Sequence, residues 1–81
     1  MNADIKHLRY LNLSENQLTS LPAEIGQLTE LVELKLSSNR LESLPPEFAQ
    51  LVNLRLLWLD GNPIKEFPMP LSRLHGLATL Y

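Results

Sequence analysis

A chain of 81 residues with no cysteine makes a single domain that can contain neither a disulfide nor a thiolate metal site. Seven basic and nine acidic side chains give a formal charge of −2, spread without blocks, which argues against a nucleic-acid partner because phosphate neutralisation needs a basic patch. No apolar run approaches the about 18 residues of a membrane-spanning helix, and Met1 to Lys6 lacks the basic and apolar blocks of a secretory signal.

In chain order, Met1 to Asp4 reads as irregular, and Ile5 stands one period of 23 residues before Leu28. Leu8, Leu31, Leu54 and Leu77 then open successive copies of one pattern. The first copy places Leu8, Leu11, Leu13, Asn16, Leu18, Leu21 and Pro22 at the spacing that Leu31, Leu34, Leu36, Asn39, Leu41, Leu44 and Pro45 repeat. The third runs through Leu54, Leu57, Leu59, Asn62, Ile64, Phe67 and Pro68, and a fourth begins at Leu77 and Leu80. A fixed period of this length marks a solenoid, in which each unit buries its apolar side only against its neighbours. The expected organisation is one domain over 1–81, with full repeats 8–30, 31–53 and 54–76 and partial ones at 5–7 and 77–81.

Each copy divides into three parts. The first is a strand such as Glu33-Leu34-Lys35-Leu36, whose alternation sends the leucines inward and Glu33 and Lys35 outward. Strands one period apart run the same way and stack as a parallel sheet. The second part is a turn closed by Asn16, Asn39 or Asn62, whose amide both donates and accepts and so satisfies backbone groups that the turn leaves unpaired. Stacked copies predict a buried, structural asparagine ladder. The third part returns through Leu21-Pro22-Ala23-Glu24-Ile25 or Leu44-Pro45-Pro46-Glu47-Phe48, with Pro at a helical start and Glu near the positive end of the dipole. Apolar groups at Ile25, Leu28 and Leu31 suit a 3₁₀ or short α turn. In the third copy Pro70 follows Pro68, which argues against a regular helical turn there, and Pro63 puts the geometry of the third asparagine turn in question.

From Ile5 to Tyr81 these spacings resemble the 23-residue leucine-rich repeat family. The L-x-x-L-P-x-x-I/F-x-x-L extension at Leu18–Leu28 and Leu41–Leu51 is similar to intracellular Ras-group and scribble-type members. The resemblance implies an α/β fold, a right-handed horseshoe with short parallel strands on its concave face and 3₁₀ or short helical turns on the convex one. It also implies protein binding on the concave sheet, in signalling or scaffold proteins. Secreted members commonly close their ends with disulfides, so the absence of cysteine places the expected location in the cytoplasm. Asn12-Leu13-Ser14 matches a glycosylation acceptor, but without a signal segment it is expected to stay unmodified.

Nineteen of the 20 leucines belong to this scaffold, so function falls to the outward strand positions. One row reads Tyr10, Glu33, Leu56 and Thr79, and the next Asn12, Lys35, Trp58 and Tyr81. Arg9, Val32, Arg55 and Ala78 precede the strands, and Ser14, Glu15, Ser37, Ser38 and Asp60 follow them. Leu56 is the one leucine off the register and Trp58 the one tryptophan. At a strand spacing of about 4.8 Å, Tyr81 and Lys35 come to lie beside Trp58. An apolar and aromatic cluster rimmed by charge has the composition of a binding hot spot. Alternatively, Leu56 and Trp58 only lend strand propensity, with Lys35 shielding the indole by a cation–π contact.

Nothing in the chain has the spacing of catalysis. His7 and His75 stand 68 residues apart, Gly26, Gly61 and Gly76 form no phosphate loop, and no serine occupies a nucleophile motif. Asp60-Gly61-Asn62 lacks the remaining ligands of a calcium loop, and Glu33 and Asp60 lie isolated on a flat sheet. The expectation is therefore no enzyme, no cofactor and no metal, and a module that binds a protein partner. Two other readings stay open. One is a regulatory segment of a larger signalling enzyme such as a kinase, GTPase or ubiquitin ligase. The other is self-association through the uncapped, leucine-lined ends.

Overall fold

The computed structural model describes residues 3–66 and 68–81. Among the described residues, four strands alternate with four 3₁₀ helices. They follow in the order 3₁₀ helix Ala3–His7, β1 Tyr10–Asn12, Ala23–Gln27, β2 Glu33–Lys35, Pro46–Gln50, β3 Leu56–Trp58, Met69–Arg73 and β4 Thr79–Leu80. The strands form one parallel sheet in chain order, with Tyr10 opposite Glu33, Glu33 opposite Leu56 and Leu56 opposite Thr79. Every partner is thus one sequence period away, and the solenoid reading holds.

The hydrogen bonds explain why such short strands stay paired. The ladder continues past the strand ends, from Leu13 N–H to the Lys35 carbonyl (2.8 Å), Glu15 to Ser37 (2.8 Å), Leu36 to Trp58 (2.9 Å) and Ser38 to Asp60 (2.9 Å). On the opposite side the three-residue apolar spacing becomes consecutive 3₁₀ turns. Ile25 N–H donates to Pro22, Leu28 to Ile25 and Leu31 to Leu28, each at 3.1 Å. Between sheet and turns lies one core, in which Leu31, Leu34, Leu36, Leu41, Phe48, Leu51, Leu54 and Leu57 are all at 0% exposure. Ile25, Phe48 and Leu71, one period apart, each face inward from a 3₁₀ helix.

Four expectations need correction. Ala3 and Asp4 are not irregular but open the first 3₁₀ helix, which ends as the turn at Leu28–Leu31 does, with Leu8 N–H on the Ile5 carbonyl at 3.1 Å. Pro70 does not prevent a helical turn: it is the second residue of the helix Met69–Arg73, where no backbone N–H is needed, and the first bond runs from Leu71 N–H to Pro68 (2.9 Å). Nor does Pro63 distort its turn, since Glu15, Ser38 and Gly61 adopt the same left-handed conformation with φ of 59°, 58° and 75°. The asparagine ladder is buried only in part. Asn39 is buried, Asn62 half-buried and Asn16 exposed, because no repeat among the described residues stacks on the far side of Asn16. The same edge effect leaves Leu8, Leu11, Leu13 and Leu18 half-buried and Leu80 at 44% exposure. The scaffold position Phe67 lies outside the described residues.

Candidate functional site

The strands turn Leu11, Leu34 and Leu57 to the core, so the alternate residues point to the open face of the sheet. The register places Tyr10, Glu33, Leu56 and Thr79 in one row and Asn12, Lys35 and Trp58 in the next. Tyr81 extends that second row, because its N–H donates to the Leu57 carbonyl and its carbonyl accepts from Leu59 N–H, both at 3.0 Å.

Trp58 stands between its two row neighbours. Its ring stacks on Tyr81 with centroids 5.0 Å apart and planes 17° from parallel. Lys35 Nζ lies over the indole, 5.1 Å from the centroid. Such contacts contribute about 0.5–1.5 kcal/mol for the ring pair and about 0.5–1 kcal/mol for an exposed cation. They place the indole between its two row neighbours. Leu56 and Trp58 are half-buried rather than fully exposed, since neighbouring side chains cover their flanks. Tyr10 and Tyr81 are the open aromatics, at 67% and 57% exposure.

Polar groups hold the two borders of this cluster. Past the strand ends, Asn12 Oδ1 accepts from Ser14 N–H (3.0 Å) and Ser14 Oγ from Ser37 N–H (3.1 Å), while Ser37 Oγ donates to Asp60 Oδ1 (2.6 Å). Before the strands, Arg55 Nη1 donates to the Gly76 carbonyl at 3.2 Å. A Cβ on Gly76 would come 2.5 Å from that nitrogen, so the glycine makes room for the guanidinium. Sequence reading missed this role, and no spacing rule could have found it, because it depends on the path of one long side chain. The structure brings Lys35, Leu56, Trp58 and Tyr81 together; Asn12 pairs with Lys35 and Tyr10 with Glu33, both two strands from Trp58.

The asparagines lie apart from this face and serve the backbone. Asn39 Nδ2 donates to the carbonyls of Leu13 (3.0 Å) and Leu36 (2.9 Å), and its Oδ1 accepts from Leu18 N–H (3.2 Å). Asn62 repeats this with Leu36 (2.8 Å), Leu59 (2.9 Å) and Leu41 N–H (3.1 Å). Asn16 reaches only Leu13 (2.8 Å) and Ser14 (3.2 Å). His7 pairs with Glu30 one repeat on, and among the described residues no three of His, Asp and Glu converge as metal ligands. No described helix is long and apolar enough to cross a membrane.

The family of the leucine-rich repeat region matches residues 3–81. A solved leucine-rich repeat protein of Leptospira interrogans is 41% identical to this chain over 94% of its length and superposes with a TM-score of 0.89. The chain spans 20% of the length of that protein. A comparison with curated proteins gave no match. The leucine-rich repeat fold generally mediates protein–protein interaction, and on the match over 3–81 this chain belongs to the leucine-rich repeat family.

Proposed function

We propose that the chain is a protein-interaction module whose partner docks on the open face of the sheet. The observation that carries this reading is the Lys35–Trp58–Tyr81 stack, an aromatic anchor on the face of the sheet opposite the core. A backbone locked by interstrand hydrogen bonds loses little entropy on docking, so the exposed pattern can be spent on specificity. Tyr10, Asn12, Glu33, Arg55, Leu56 and Asp60 complete the contact surface, with Glu33 between Tyr10 and Leu56 and with Arg55 and Asp60 at the rim, where they steer the approach. The setting we infer is intracellular signalling or scaffolding, which rests on the cysteine-free composition and the likeness of the L-x-x-L-P extension to intracellular members.

The test compares the folded chain with Trp58→Ala and with Gln27→Ala, a substitution on the opposite surface. Each is immobilised, exposed to lysate of the source cells and analysed by quantitative mass spectrometry. Proteins retained by the parent chain and by Gln27→Ala should be lost from Trp58→Ala, at a cost of about 2 kcal/mol or more for a hot spot. Equal retention by all three would overturn the proposal. An unfolded Trp58→Ala chain would do so as well, since it would make Trp58 part of the core.

A further inference from the structure

Beside the strand starts lies a depression of about 230 Å³, lined by Arg9, Glu30, Val32, Asn53 and Arg55. We propose that it receives a carboxylate side chain of the docking protein, so that the partner segment is an acidic one. This rests on the reading of the sheet face as the docking surface.

The backbone builds the seat. Val32 and Glu33 N–H both donate to the Arg9 carbonyl (2.7 and 3.0 Å), and Arg55 and Leu56 N–H both donate to Val32 (2.8 and 3.1 Å). Arg9, Val32 and Arg55 are thereby held on three adjacent chain segments, which places the two arginines about 10 Å apart with Val32 between them. Arg9 and Arg55 line the depression from its two sides. The other polar lining groups are already engaged, Glu30 by His7 and the Asn53 amide by the Thr29 carbonyl (2.8 Å). Neither arginine pairs with a carboxylate among the described residues. Arg55 leans on a neutral acceptor, the Gly76 carbonyl, which orients the guanidinium without cancelling its charge. A guanidinium presents a rigid donor fork that matches a carboxylate in two-point fashion.

The surrounding charge gives the seat a direction. Arg9 and Arg55 lie before the strands and Lys35 within them, whereas Glu15 and Asp60 lie after them. Glu33 is the one carboxylate in the middle rows. From Arg55 to Trp58 is three residues, about 10 Å along a strand, and a partner segment in the polyproline II conformation, with three residues per turn and about 3.1 Å rise, puts residues three apart on one edge at about the same distance. The fitting segment therefore carries Asp or Glu three positions from an apolar or aromatic residue.

Random peptides displayed on phage are selected against the folded parent chain and against three variants, Arg9→Gln/Arg55→Gln, Gly76→Ala and Trp58→Ala. The parent chain should enrich sequences with an acidic residue three positions from Leu or an aromatic. The double variant should lose the acidic preference and keep the apolar one. Gly76→Ala changes no charge but displaces the Arg55 guanidinium, so it should weaken the best acidic peptide about tenfold, as loss of one charge-assisted bond does. Absence of acidic enrichment on the parent chain, or acidic enrichment unchanged in the double variant, overturns the carboxylate seat. If apolar selection still vanishes with Trp58→Ala in that case, the sheet face stands as the docking surface and only the seat falls. Selection indifferent to all three variants overturns both.

Discussion

Asn39 and Asn16 occupy the same place in successive repeats, yet their surroundings give them different weights in stability. Asn39 is buried and satisfies carbonyls in its own repeat and the one before, together with an N–H of the earlier repeat. Its replacement by Ala strands those groups away from water, at a cost of about 2–4 kcal/mol. Asn62 makes the corresponding bonds but is half-buried, so water can replace part of what Ala removes. Asn16 makes only local bonds in solvent, and Asn16→Ala should cost less than about 1 kcal/mol. Urea unfolding of the three variants should therefore rank Asn39 above Asn62 above Asn16, and equal shifts in midpoint would refute the graded burial. The asparagine turn itself was legible in the sequence, because an amide at a fixed place in every copy has one plain use. The gradient was not, since burial is decided by the neighbouring repeat and not by the residue.

At the scale of elements, Gly26 shows what close stacking of 3₁₀ turns demands. It is the fourth residue of the helix Ala23–Gln27, and a Cβ there would meet the Glu47 carbonyl at 2.6 Å and Gln50 Oε1 at 2.7 Å. The same place holds Ala49 and Ser72 in the next two helices, so the restriction comes from the neighbouring turn and not from helical geometry. Gly26→Ala should destabilise the fold by about 1–3 kcal/mol through overpacking, whereas Ala49→Gly should cost about 0.5–1 kcal/mol. A lowered melting temperature for the first, larger than for the second, is the expected result, and a neutral Gly26→Ala would mean that the two turns can slide apart. The sheet and its outward rows were legible because a period of 23 leaves no freedom in register, and the Trp58–Tyr81–Lys35 grouping followed from it. The helix at Pro70 was not, because a second proline reads as a breaker unless one knows that it falls where no N–H is used.

For the whole molecule, one-dimensional construction means that stability is unevenly spread. The leucines of the second repeat, from Leu31 to Leu51, are enclosed by a repeat on either side, while Leu8, Leu11, Leu13 and Leu18 at one end and Ile64, Leu77 and Leu80 at the other keep part of their surface in water. Leu8, Leu11, Leu13 and Leu18 border a cavity of about 520 Å³ that opens at their end of the stack. With each repeat held only by its neighbours, opening can start at an end without disturbing the middle. In the 81-residue chain, amide hydrogen exchange should then be slowest at Leu36, Arg55 and Leu56, whose N–H groups bond across the central strands, and faster at Leu8 and Leu77. Equal protection at Leu77 and Arg55 would show that the chain opens only as one unit, against this picture. The gradient reaches the proposed docking face, because Trp58 belongs to the protected centre while its stacking partner Tyr81 belongs to the opening end. A partner that clamps both rings should slow exchange at the Tyr81 and Leu59 amides more than at Leu36, and so reveal by its footprint that it spans the last two strands.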